Sequence, residues 1–109
     1  MMADAEELRT PDIVLAEISR KYVRERAEAS RVRSRLETIT SASLVTPVEV
    51  EVAMKAAEAF LELAERAAKQ RRRAPSLFDA IVLATARVYD SKVLTGDEHF
   101  EGLPETIPI

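Results

Sequence analysis

Between Ser76 and Tyr89 the chain offers a helix that is apolar nearly all round, with Phe78, Ile81, Val82 and Leu83 spread over its faces. A helix of that kind is stable only where other elements cover every side of it. Two neighbours are at hand in the sequence. Upstream, residues 49–70 predict a long helix whose buried stripe is Val50, Ala53, Met54, Ala57, Leu61, Ala64 and Ala68, with Glu and Lys outside. Its many alanines predict close helix packing. Short β segments supply the rest of the cover: residues 43–48, residues 92–95, and a terminal edge strand at 106–109. Helices alternating with short β segments argue for a parallel α/β sheet.

The first third of the chain adds two helices. Thr10-Pro11-Asp12 carries helix-start signals: a hydroxyl as N-cap, proline at the first helical position and an acid in the first turn. That helix is expected to run to about residue 26, with Ile13, Val14, Ile18 and Tyr22 on its apolar side. Residues 30–39 place Val32, Leu36 and Ile39 on one face of a second, shorter helix. Of the three expected strands, two contain proline, which belongs at strand ends and edges. A good central strand is lacking, and one is expected to precede Met1.

Composition narrows the chemistry. The chain has 109 residues, enough for one domain spanning 1–109. It is 47% hydrophobic and 32% charged, as a globular chain is. It has no cysteine, which excludes disulfides and thiolate metal sites and suits a cytoplasmic protein. One histidine and two glycines leave little room for serine–histidine catalysis or a phosphate loop. The N-terminus has neither the basic start nor the apolar core of a signal peptide, and no run approaches the roughly 20 apolar residues of a membrane span. With a net charge of −3, any affinity for nucleic acid has to come from a local basic patch. Carboxylate chemistry remains.

Three carboxylates stand where the pattern does not ask for them. Glu17 is the one charged residue in Ile13–Ile18 and falls on the side meant for the core, where an unpaired carboxylate is costly. It needs a metal, a hydrogen-bond network, or a lysine or arginine partner. Asp79 follows Ser76 in the pattern Ser-x-x-Asp, which suits a capping box and equally an acid aimed into a cleft. Asp97 follows the segment Val93-Leu94-Thr95-Gly96, beyond the carboxyl end of a strand, where parallel α/β sheets bind ligands. A turn aspartate beside glycine is the plainer alternative. Converging, the three would make an oxygen-only site suited to Mg²⁺ or Mn²⁺. Spacing alone does not prove that they converge.

Ser76-Leu77-Phe78-Asp79-Ala80-Ile81-Val82-Leu83-Ala84-Thr85-Ala86, followed by Val93-Leu94-Thr95-Gly96-Asp97-Glu98-His99-Phe100, resembles the PIN-domain family. Thr10-Pro11-Asp12-Ile13-Val14-Leu15-Ala16-Glu17-Ile18 resembles the helix carrying that family's second acid. The likeness covers essentially the whole chain, and its small form looks like the VapC toxins. It implies a three-layer α/β/α fold with a short parallel sheet, and a Mg²⁺- or Mn²⁺-dependent endoribonuclease of a toxin–antitoxin pair. It further implies Glu17, Asp79 and Asp97 as metal-holding catalytic acids, Thr95 as a supporting hydroxyl, RNA as substrate, a cognate antitoxin as partner, and a homodimer. Glu98 is at most a peripheral charge, and His99 reads as a packing or turn residue rather than a base. The family also begins with a strand ending in an aspartate, and no such segment precedes Met1 here; Asp4 lies in a polar acidic stretch and cannot stand in for it. A start assigned too far downstream or a shortened chain, a degenerate gene, or a sheet completed by another chain would each account for that. Arg71, Arg72 and Arg73 are candidate RNA contacts or a solvated helix end, and Arg20, Lys21 and Arg24 are open in the same way. The competing function is a catalytically inactive PIN-like fragment serving interaction or oligomerisation.

Overall fold

The computed structural model describes residues 8–95 and 98–108. Their elements follow one another as β1 (Arg9–Pro11), α1 (Asp12–Arg24), α2 (Ala29–Ala42), β2 (Leu44–Thr46), α3 (Val50–Lys69), α4 (Leu77–Val88), β3 (Val93–Thr95), a 3-10 turn (Glu98–Phe100) and β4 (Thr106–Pro108). The α/β alternation is as the sequence predicts, with one strand more. β1 lies where the sequence places a helix cap. Thr10 bonds sideways, its hydroxyl 2.6 Å from that of Ser43, and pairs in the sheet with Val45. Pro11 becomes the N-cap of α1, and no side chain caps that helix.

The centre is the pair α3 and α4. Ala80, Leu83 and Ala84 of α4 are completely shielded, and Leu63 and Leu83 are among the largest fully buried side chains. Burying a leucine contributes roughly 1.5–3 kcal/mol. α4 is the covered helix its composition demands. α3 is rotated from the expected orientation. The residues it buries are Val52, Ala56, Ala59, Leu63 and Ala67. Val50, Met54 and Leu61 of the predicted stripe are 73%, 63% and 64% exposed. The helix carries two apolar stripes on different faces, and α4 covers the one formed by Val52, Ala56, Ala59, Leu63 and Ala67.

The β layer is split. β1 pairs with β2 and β3 with β4, each in parallel, so the expected short parallel sheet is present as two two-stranded sheets. A parallel bridge from Leu8 to Lys92 connects them. Beside that bridge lies a cavity of about 410 Å³ bounded by Arg9, Pro11, Ile39, Phe78, Val82 and Val93.

α1 and α2 pack against each other as a hairpin that contains no fully buried residue. Ile13, expected on the apolar side of α1, is 40% exposed, whereas Val14, Ile18, Tyr22, Val32, Leu36 and Ile39 are half-buried. A groove of about 710 Å³ runs along the hairpin past Val23, Ala27, Val32 and Leu36.

Candidate functional site

The site is built at the carboxyl ends of the parallel strands. β3 follows α4 after a short turn, so α4 runs against the strand direction and its N-terminus returns to the edge where β3 ends. The contact between Asp79 and His99 shows this directly. His99 sits in the 3-10 turn after β3, and its Nδ1 lies 4.0 Å from Asp79 Oδ2 in the first turn of α4. α1 leaves the same edge, because β1 passes into it without an intervening loop and runs in the common strand direction.

Asp79 is held by a complete capping box. Its backbone N–H donates to Ser76 Oγ at 3.1 Å, and its Oδ2 accepts from the Ser76 N–H at 3.0 Å. The carboxylate is 15% exposed, so it is aimed rather than free to sweep. The capping-box reading of Asp79 is thus met, and the oxygen that caps the helix, Oδ2, is also the one that faces His99 in the turn after β3.

His99 is buried, as a packing residue would be and unlike a surface turn. Its Nε2 lies 2.6 Å from the Arg73 carbonyl oxygen, and protein donors to a carbonyl carry hydrogen, so that nitrogen is the protonated one. This fastens the turn after β3 to the loop before α4. Nothing in the sequence patterns pairs residue 73 with residue 99; the one signal was that His99 is the chain's sole histidine.

Glu17 has the cation partner that its position on α1 requires. Arg20 Nε and Nη2 donate to its two carboxylate oxygens at 3.0 and 2.8 Å. That hydrogen bonding holds the Glu17 carboxyl below its usual range, partial burial opposing and the charges of Arg20 and Arg24 adding to it. Glu17 is half-buried on a helix that touches α4. Asp97, the third predicted acid, and the Thr95 side chain lie outside the described residues. Among the described residues, no three acids or histidines are grouped as a metal cage.

The three arginines before α4 divide. Arg72 is engaged within the fold: its Nη1 donates to the Glu98 carbonyl at 2.5 Å and its Nη2 to the Glu101 carboxylate at 2.7 Å. Glu98 is therefore part of this strap, 3.9 Å from Arg72 Nε. Arg71 and Arg73 are exposed. Arg71 stands at φ 56°, in the left-handed conformation that ends α3.

The PIN domain family model matches residues 1–105. The chain belongs to the PIN-domain family. This places the α/β arrangement within that family's three-layer α/β/α fold, and it supports nuclease chemistry in general, a type of reaction that PIN domains typically carry out with divalent metals. No curated protein and no solved structure gives a significant match. None of the helices in the described residues is long and apolar enough to cross a membrane.

Proposed function

We propose that this PIN domain is a Mg²⁺- or Mn²⁺-dependent endoribonuclease, of the kind that serves as the toxin of a toxin–antitoxin pair in the cytoplasm. The observation that carries the reading is the placement of Asp79. A family match over residues 1–105 is joined to an acid clamped by its own helix cap, at the carboxyl edge of parallel strands. The donor chemistry fits a hard divalent cation, since the candidate ligands are carboxylates and there is no thiolate in the chain. Glu17, Asp79 and Asp97 would hold the ion, with Thr95 supporting them. When bound, it would supply Lewis-acid charge at phosphorus and lower the pKa of an attacking water.

The chain's own residues do the rest. The capping box fixes the Asp79 carboxylate before any ion arrives. Glu17 has to exchange Arg20 for the ion, and the freed guanidinium is then available for a phosphate oxygen. Arg71 and Arg73 supply exposed positive charge beside α4 for the RNA backbone, whereas Arg72 stays committed to Glu98 and Glu101. A cognate antitoxin would be the natural inhibitor of such an activity.

A second reading is a catalytically inactive interaction module. It draws on Glu17 being fully paired with Arg20. One assay separates the two. RNA cleavage in the presence of Mn²⁺ is measured for the chain and for Asp79→Asn, in which the amide oxygen can still accept from the Ser76 N–H and keep the cap. Cleavage by the parent and a loss of about 100-fold or more in the variant is expected if a metal-holding acid has been removed. Equal rates in both, or no cleavage by either, sink the catalytic reading.

A further inference from the structure

The two described acids of the candidate site are held in opposite ways. Asp79 Oδ2 accepts from an uncharged donor, the Ser76 N–H. Glu17 is held by a cation. Glu17, Arg20, Lys21 and Arg24 fall at i, i+3, i+4 and i+7, on one side of α1. Arg20 bonds to the carboxylate, and Arg24, one turn further on, acts on it through charge.

Both oxygens of Glu17 are engaged, one by Nε at 3.0 Å and the other by Nη2 at 2.8 Å of the same guanidinium. A divalent cation on that carboxylate would stand beside the positive fork, and like charges at such range repel. Arg20 and a bound cation therefore compete for Glu17. The competition is an even one, because the pair is open to water: the Arg20 side chain is 61% exposed and that of Glu17 34%. An ion pair in such a setting favours its closed form by no more than about 5-fold.

A displaced Arg20 keeps its two parallel donors, and that fork fits a phosphate as well as it fits a carboxylate. Its position is one helical turn from the acid it leaves.

We infer that Arg20 is an exchange residue, which closes Glu17 while the site lacks a cation and passes to a backbone phosphate of the RNA once a cation takes Glu17. The inference rests on the metal-dependent reading above and adds regulation to it. Without a cation, Arg20 serves a phosphate only by leaving Glu17 unpaired; with one, that conflict is gone. Cation and RNA thus strengthen each other's binding, and the coupling is the same in both directions.

The parent is compared with Arg20→Met and, as a control for charge alone, Arg24→Met. Both positions are exposed, and circular dichroism checks that the fold is kept. Affinity for Mn²⁺ is read by calorimetry. Affinity for uridylate, a mononucleotide with no internal diester to cut, is read by NMR with and without Mg²⁺. Arg20→Met is expected to bind Mn²⁺ about 5-fold more tightly than the parent, and Arg24→Met less than about 2-fold more tightly. Uridylate is expected to respond in reverse: Arg20→Met weakens it about 5-fold with Mg²⁺ present and less than about 2-fold without. In the parent, the Arg20 Nε–H resonance, assigned by its loss in Arg20→Met, is expected to move on adding Mg²⁺ from the position of an ion-paired guanidinium towards that of a free one.

Ion binding that is absent, or that survives unchanged in Asp79→Asn, overturns the metal-dependent reading and this inference with it. Ion binding that is lost in Asp79→Asn yet equal in the parent and Arg20→Met overturns the exchange alone. So does a uridylate loss of equal size with and without Mg²⁺, or an Arg20 resonance that Mg²⁺ does not move.

Discussion

The α3–α4 pair and the α1–α2 hairpin are both built from amphipathic helices, yet they hold the molecule together to different degrees. α4 buries half its residues, among them Ala80, Leu83 and Ala84 with no exposure at all. The hairpin contains no fully buried residue and is lined by an apolar groove. The difference teaches how the candidate site is supported. Asp79 is rooted in the helix that the rest of the fold encloses, while Glu17 rides on a helix with little burial to fix it. Local opening follows low burial, so the two acids sit on ground of unequal firmness.

The largest expected effect tests that inequality. Leu83→Ala is expected to cost about 3–4 kcal/mol in urea unfolding, because it opens a cavity in a fully enclosed position. Leu36→Ala on the hairpin is expected to cost less than about 1 kcal/mol, since a half-buried side chain loses less transfer energy and its site collapses or fills with water. Similar losses at the two positions would erase the comparison.

Arg87 comes next. It reaches from α4 to both neighbours of the core, donating bidentately to Glu62 of α3 at 2.8 and 3.1 Å and to Glu105 at 3.1 Å. Arg87→Met is expected to cost about 1–2 kcal/mol at neutral pH, as two partly shielded carboxylates lose their shared cation. The sign of its pH dependence follows from Glu62. Its carboxyl is depressed below 4.5, chiefly by the hydrogen bond from Arg87, with burial opposing. In the native state it takes up its proton at lower pH than in the unfolded chain. The stabilisation is therefore complete above the unfolded value and fades as pH falls through the native one. Urea midpoints measured between about pH 6 and pH 3 should converge for parent and variant at the acid end. A gap that stays constant with pH would mean that Arg87 acts by packing alone.

Removing half of the capping box is the smallest change. Ser76→Ala should cost about 1 kcal/mol. It should also loosen Asp79, so cleavage of RNA falls by more than the stability loss explains. A variant that is less stable but equally active would separate the cap from the site.

Much of this arrangement was legible in the sequence, and the failures have physical causes. The position of α4 and its capping box followed from composition and a Ser-x-x-Asp pattern, since both are local signals. The orientation of α3 did not follow. Its alanines make two stripes nearly equally apolar, and the choice between them is made by α4, which periodicity within α3 cannot see. β1 was hidden because a three-residue strand has no period, and Thr10 looks like a cap until Ser43 is known to lie beside it. The need for a partner at Glu17 was legible from its apolar surroundings, and Arg20 answers it one helical turn away. The link between His99 and Arg73 spans 26 positions, beyond any local pattern.

The short reach of the bonds around the two acids has a consequence for assembly. Asp79 is oriented through Ser76 and Glu17 through Arg20, each three residues away. Contacts of that span form on the timescale of helix formation, well before distant strands meet. Each helix thus carries its carboxylate already aimed while the chain is still collapsing. The docking of α1 against α4 joins residues far apart in sequence and so comes later, and on the proposed metal-dependent reading it sets the gap that a cation would fill. Mutations that alter affinity for the ion without touching an acid should therefore gather along the α1–α4 contact, and show first as changes in folding rate.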